Sequence, residues 1–183
     1  EQPAWLGPMV RLDWLADCGL DTPVTFDDWH EMLVAFRDQC GAESPLLLSK
    51  NGYTVTGFGL TTGFNTAGTF YAENGTTVKY GFLDDSMRDY VALMAQWYSE
   101  GLIAPDFATE SNDPFTSSSD TYIQGGDAGI WYAQSDNMDS NMTSGKELDP
   151  NYEICAMPEP VQEEGEKFHF GDTRIGTAAT GKN

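Results

Sequence analysis

Apolar residues recur at the helical period most plainly across residues 84–109. Met87, Tyr90, Val91, Met94, Trp97 and Tyr98 fall at spacings of three and four and make one stripe. Arg88, Asp89, Gln96 and Glu100 take the other side. Asp84, Asp85 and Ser86 suit the first turn, Gly101 a left-handed C-terminal cap, and Pro105 a stop. The pattern predicts a helix packed into a core. Residues 9–18 read as a short helix ending at Gly19. Thr25 is an N-cap, with Phe26, Trp29, Leu33 and Phe36 facing inward through about Gln39.

Strand signals are shorter. Residues 45–48 and 152–157 are apolar runs, the second closed by Pro158 and Pro160, and 128–132 reads as a buried strand. Residues 69–82 predict a hairpin, 70–72 and 78–82 about a turn at Asn74-Gly75, which supplies the positive φ angles of a two-residue turn. An irregular strand or loop is expected over 52–60, a polar loop over 111–119, and helical pieces over 120–124 and about 136–146. The tail from 165 is loop-like with one extended piece at 174–177. Helices alternating with short strands predict an α/β fold.

With 183 residues, 40% hydrophobic and 13% aromatic, the chain suits one folded domain. No apolar run reaches the roughly 20 residues a membrane helix needs. Nine Lys plus Arg against 29 Asp plus Glu give a formal charge of −20. Such a surface repels phosphate backbones and anionic headgroups, so neither nucleic acid nor a membrane surface is an expected partner. Cys18, Cys40 and Cys155 have no metal-ligand spacing. If the first two helices form an antiparallel hairpin, Cys18 and Cys40 lie at opposite ends, roughly 20 Å apart, and a disulfide is excluded. All three are then free, buried, small hydrophobes.

No catalytic constellation stands out. His30 and His169 are the only histidines, and no nucleophile elbow, zinc-helix motif or phosphate loop is present. Carboxylate pairs such as Asp27/Asp28 and Asp84/Asp85 sit at helix starts, where capping explains them. No enzyme is expected.

Two blocks carry a resemblance. WYSEGLIAPDFAT at 97–109 resembles the W/LY-x-EGLI-x-P-D/E-F segment of extracellular solute-binding proteins of bacterial ABC sugar importers. VRLDWLADCGL at 10–20, followed by Pro23, Thr25 and Trp29, looks like that family's R-x-DWL-x-x-LGL-x-x-P-x-T passage into its second lobe. NGTTVKY at 74–80 resembles a small hairpin of the family, and the closing GKN resembles its KNPE. The resemblance implies that residues 1–183 are one lobe, the second, of a type II periplasmic-binding-protein-like fold, without the first lobe and closing helices. It implies a carbohydrate ligand, a neutral oligosaccharide, captured outside the cell and passed to ABC transporter permease subunits. The protein would be a monomer, either periplasmic or lipid-anchored. A carbohydrate-recognition domain of a secreted glycan-degrading protein is the other reading. Some relatives carry a calcium-binding acidic loop after the second helix; here FRDQCGAESPL at 36–46 lacks those oxygen ligands, so neither metal nor cofactor is expected.

Sugars stack on aromatic rings and bond to amides, carboxylates and guanidinium groups. GGDAGIWY at 125–132 resembles the family strand that reaches the cleft. Trp131 and Tyr132 are adjacent, so strand alternation sends them to opposite faces. Ile130 and Tyr132 share the core face, which makes Trp131 the expected exposed stacking platform. Gln134, Ser135, Asp136 and Asn137 begin the next helix and could hold hydroxyls, or simply cap it. Phe64 and Asn65, in the glycine-flanked GLTTGFN at 59–65, form a second candidate loop. Arg11 is a third candidate, since the family's matching arginine lies near the lobe boundary; a surface ion pair is the alternative.

Overall fold

The computed structural model describes residues 6–48, 59–68, 70–73, 76–109 and 121–166. Expectations for residues 52–58, the Asn74-Gly75 turn, the 111–119 loop and the 174–177 piece lie outside them.

A four-stranded sheet organises the chain, in the order β2 (Ser44–Leu47), β5 (Ala128–Gln134), β1 (Leu6–Arg11), β6 (Ile154–Ala156). β2 runs parallel to β5, whereas β1 is antiparallel to both β5 and β6. The carboxyl ends of β2, β5 and β6 therefore share one edge. Helices α1 (Leu12–Asp17) and α2 (Phe26–Gln39) follow β1, and α3 (Gly59–Thr62) precedes a hairpin of β3 (Phe70–Glu73) and β4 (Thr77–Tyr80). A 3-10 turn, Gly81–Leu83, leads into α4 (Asp85–Ser99). The chain continues through α5 (Thr121–Gly125), β5, a second 3-10 turn (Ser135–Asn137) and α6 (Met138–Leu148) to β6.

The sequence reading of residues 9–18 as one helix is corrected. Residues up to Arg11 are a central strand, and the helix has only six residues. α2 begins as expected: Asp28 N–H donates to Thr25 Oγ1 (3.1 Å) and Thr25 N–H to the Asp28 carboxylate (2.8 Å). Those backbone donors hold the Asp28 carboxyl below its usual range. Asp84 does not cap α4. Its carboxylate accepts from Thr66 Oγ1 (3.0 Å) and Tyr71 OH (2.6 Å), fastening the hairpin base to the chain after α3. Of the α4 stripe, Met87, Tyr90, Met94 and Trp97 are buried, while Val91 and Tyr98 are exposed. Gly101 has φ 73°, the left-handed conformation that its position after the helix requires.

Two cores lie on opposite faces of the sheet. One packs Val10, Leu46, Ile130 and Tyr132 beneath Trp29, Leu33 and Phe36 of α2 and Tyr90, Met94 and Trp97 of α4. The other packs Met9, Leu47, Trp131, Ala133 and Ile154 beneath Ile123 of α5, Met138 and Met142 of α6, and Tyr152. Strands covered on both sides lose the half-exposed pattern, and the first six positions of β5 are all buried.

The expected separation of Cys18 and Cys40 is also corrected. Each residue caps the C-terminus of its helix, and their sulfurs lie 3.4 Å apart. The reason is the connection: residues 19–25 run back along α2 beside Asp28, Glu31 and Met32, so the two helices end side by side.

Candidate functional site

In open α/β sheets, ligands gather beyond the carboxyl ends of the strands. Here that edge brings together Leu48 after β2, Gln134 at the end of β5 and the segment 157–162 after β6. Met157 N–H donates to the Pro8 carbonyl (3.0 Å), which starts this segment on the sheet edge. Glu159 then turns inward and accepts from the Tyr132 hydroxyl. Pro160 presses its carbonyl against Gly63, where a β-carbon would come within 2.4 Å, and Gln162 Nε2 donates to the Gly63 carbonyl (3.3 Å). Residues 157–162 thus tie the end of β5 to the 59–65 loop.

The expected contact residues divide into three groups. Gln134 and Asn137 are half-buried and Asp136 is exposed, at the sheet edge where a ligand could meet them. Phe64 and Asn65 are half-buried on the neighbouring loop. The Phe64 ring packs against Phe26 (4.7 Å between centroids) and edge-on to Tyr90 (5.8 Å), so it anchors the loop to the core. Asn65 adopts φ 53°, which an asparagine tolerates and which turns the chain toward Thr66.

Trp131, Tyr132 and Arg11 do not belong to this surface. Trp131 is 0% exposed: alternation does send it away from Tyr132, but α5, α6 and Tyr152 cover the face it enters. Tyr132 is 2% exposed, its hydroxyl spent on Glu159. Arg11 is 3% exposed. Its guanidinium donates to both Asp13 carboxylate oxygens (2.9 and 2.6 Å) and to the Gly126 carbonyl (2.9 Å). The rings of Trp14 and Tyr152 lie against it at 4.0 and 4.1 Å. It is a buried staple and not the surface ion pair that was the alternative.

Two features escaped the sequence reading. Glu159 is a fully enclosed acid, and burial pushes its carboxyl up to about 8 against the opposing pull of the Tyr132 hydroxyl. Its only sequence signal is a carboxylate held between two prolines. The second is the outer face of the hairpin. Five of the nine large apolar side chains exposed among the described residues, Phe70, Val78, Tyr80, Phe82 and Leu83, lie on it or in the turn after it. Phe70 pairs with Tyr80 across the ladder (4.7 Å), and Tyr80 meets Phe82 (5.5 Å), so the exposed rings adjoin. The opposite face is tied down by the Tyr71–Asp84 bond and the Lys79–Glu73 ion pair. Among the described residues no cluster of three or more His, Cys, Asp or Glu could hold a metal ion.

This architecture is that of a single lobe of a type II periplasmic-binding-protein-like fold, the class to which solute-binding proteins of ABC importers conform. The alginate-binding protein AlgQ2, solved without calcium, superposes with a TM-score of 0.69 at 21% identity, over 91% of this chain and 34% of its own. An extracellular solute-binding protein from Bifidobacterium longum subsp. infantis gives 0.66 at 23% identity, over 87% and 34%. A sugar transporter protein from Bacillus licheniformis, solved with stachyose, gives 0.61 at 18%, over 90% and 42%. In sequence, Lipoprotein LipO of Bacillus subtilis (strain 168) is 31% identical over 119 residues, covering 58% of this chain and 24% of that protein. The chain thus spans about a quarter of that lipoprotein and roughly a third to two fifths of the solved proteins. No family model matches it.

Proposed function

We propose that residues 1–183 are one lobe of a two-lobed solute-binding protein that captures a neutral oligosaccharide outside the cytoplasm and delivers it to an ABC permease, without catalysis. The observation that carries this reading is the grouping of Gln134, Asp136 and Asn137 at the carboxyl edge of a sheet whose fold is shared with sugar-binding lobes. The lipoprotein relative supports a lipid-anchored form. The strong negative charge favours a neutral ligand over an anionic one. Rings for stacking come from Phe70, Tyr80 and Phe82 in place of the enclosed Trp131.

An interlobe cleft buries roughly 70–90% of a small ligand, so one wall alone forfeits about half the contacts. A micromolar site would then retain about 4 kcal/mol, which is millimolar binding. Calorimetric titration with stachyose and other neutral oligosaccharides tests this on the 183-residue chain and on a two-lobed protein that carries it. The expected result is saturable binding by the two-lobed protein and near-silence from the single lobe. Absence of binding by the two-lobed protein across the panel would overturn the sugar reading. Micromolar binding by the single lobe would place a complete site within it.

A further inference from the structure

Cys18 and Cys40 occupy equivalent positions, each the residue that ends its helix. Cys18 N–H donates to the Trp14 carbonyl (2.9 Å), and Gly19 turns the chain away with φ 66°. Cys40 ends α2 with helical φ and ψ, and Gly41 turns with φ 74° before Ala42 N–H returns to the Phe36 carbonyl (3.0 Å). The two helix ends are thereby fixed against each other with Sγ···Sγ 3.4 Å, and both residues are only half-buried. A bond needs about 2.0 Å, so closure asks roughly 1.4 Å of combined side-chain movement. Cys155 stands apart on β6, opposite Val10.

We propose that Cys18 and Cys40 are a disulfide-forming pair that staples the end of α1 to the end of α2 when the protein meets a disulfide oxidant. One cysteine attacks a sulfur of the oxidant, forming a mixed disulfide and releasing one small thiol. The second cysteine attacks the protein-side sulfur, closes the Cys18–Cys40 bond and releases the other small thiol. Two protein thiols are oxidised, one small disulfide is reduced to two thiols, and protons balance. Burial, reinforced by the neighbouring sulfur, pushes the Cys40 thiol up to about 12, so the exchange should accelerate as pH rises. The staple closes a loop between positions 22 apart and shortens the excursions of the turn at residues 19–25. An oxidising location outside the cytoplasm, which rests on the proposed function, would supply the oxidant in the cell. The exchange itself does not depend on that function.

The test incubates the reduced 183-residue chain at pH 8 with a mixture of oxidised and reduced glutathione. A Cys–Cys peptide is included as a control that the mixture oxidises dithiols. Thiols are then counted in denaturant, and unreduced digests are mapped by mass spectrometry. The expected result is a fall from three thiols to one, a loss of two mass units in a monomer, and a peptide pair joining Cys18 to Cys40. Cys18→Ser and Cys40→Ser should each keep two thiols, and Cys155→Ser should fall from two to none. The melting temperature should rise by roughly 6–12 °C on oxidation. Mapping the unsubstituted chain locates the bond even where a serine variant fails to fold. Three thiols retained while the control peptide oxidises, stable glutathione adducts without closure, or a link through Cys155 would each overturn the proposal.

Discussion

Replacing Glu159 by glutamine should flatten the dependence of stability on pH, and the effect can be worked from the structure. Glu159 is 2% exposed, its Oε2 accepting from Tyr132 and its Oε1 without a partner among the described residues. Burial holds its proton in the folded chain to about pH 8, against an ordinary value of 4.5. Between those values the native chain binds more protons than the unfolded chain, so stability must fall as pH rises. The contribution is fully present below about pH 4.5 and gone above about pH 8. Its slope is at most about 1.4 kcal/mol per pH unit, which over the window sums to no more than about 5 kcal/mol.

Glutamine keeps the shape and cannot ionise. The Glu159→Gln chain should therefore gain on the parent by about 2–3 kcal/mol between pH 5.5 and 7.5. Urea unfolding at 25 °C across pH 5 to 8.5 measures the gap directly. Tyr132→Phe removes the donor that favours the ionised carboxylate, so it should move the window upward. Parallel profiles for parent and Glu159→Gln, or a parent that gains on the variant as pH rises, would refute the reasoning.

Other outcomes follow from the same geometry. Trp131→Ala should cost about 3–5 kcal/mol in urea melts, because it empties a sealed position between the sheet and α6; a near-neutral change would contradict its burial. Gly145→Ala should destabilise by about 1–3 kcal/mol, since its new methyl would stand 2.2 Å from the Tyr152 ring; calorimetric melting decides. The pair Phe70→Ala and Tyr80→Ala should leave stability within about 0.5 kcal/mol, both rings being exposed, and should weaken oligosaccharide binding by the two-lobed protein; unchanged affinity would remove the hairpin from the site. Dialysis against a chelator should leave the melting temperature unmoved, given the absent acidic loop; a drop of more than a few degrees would reveal a structural metal.

The two long helices α2 and α4 were legible because each writes its own period. Thr25 with Asp28 marks the start of α2, and Gly101 marks the end of α4. β1 was not legible: six residues containing Gly7 and Pro8 argue against a central strand, since proline cannot donate to a ladder. The fold admits Pro8 because only its carbonyl is used, by Met157. Trp131 shows a different limit. Alternation along β5 assigns its face correctly, but cannot say whether another element covers that face. The cover is α6, whose sequence, MDSNMTSGKEL, offers few apolar residues. It packs closely because Gly145 lets the Tyr152 ring lie against its backbone. Arg11 went astray for the same reason, its partners Gly126 and Tyr152 being far along the chain, whereas Tyr132 lies on the core face expected of it and only its partner Glu159 was hidden. Gln134, Asp136 and Asn137 remained at an accessible edge because they follow the last covered position of β5.

Closure of both sheet faces restricts where this lobe can meet anything. No residue inside β5 can touch a ligand, since its first six positions are all covered. On the proposed reading, contact then comes from strand ends, from loops and from the hairpin. Those parts are joined by bonds that also belong to the core. Glu159 fixes residues 157–162 over the end of β5, Gln162 and Pro160 grip Gly63, and Thr66 and Asp84 carry the connection to the hairpin base. A protonated Glu159 therefore does two things with one buried hydrogen bond: it seals the core beneath Tyr132 and sets the height of the loop that bears Phe64 and Asn65. Ionising it would favour withdrawal of the carboxylate toward water, and the segment that it anchors is the one that grips Gly63 beside Phe64 and Asn65. The placement of the loop that bears Phe64 and Asn65 and the stability of the core are in this sense one structural problem, solved by a single buried acid.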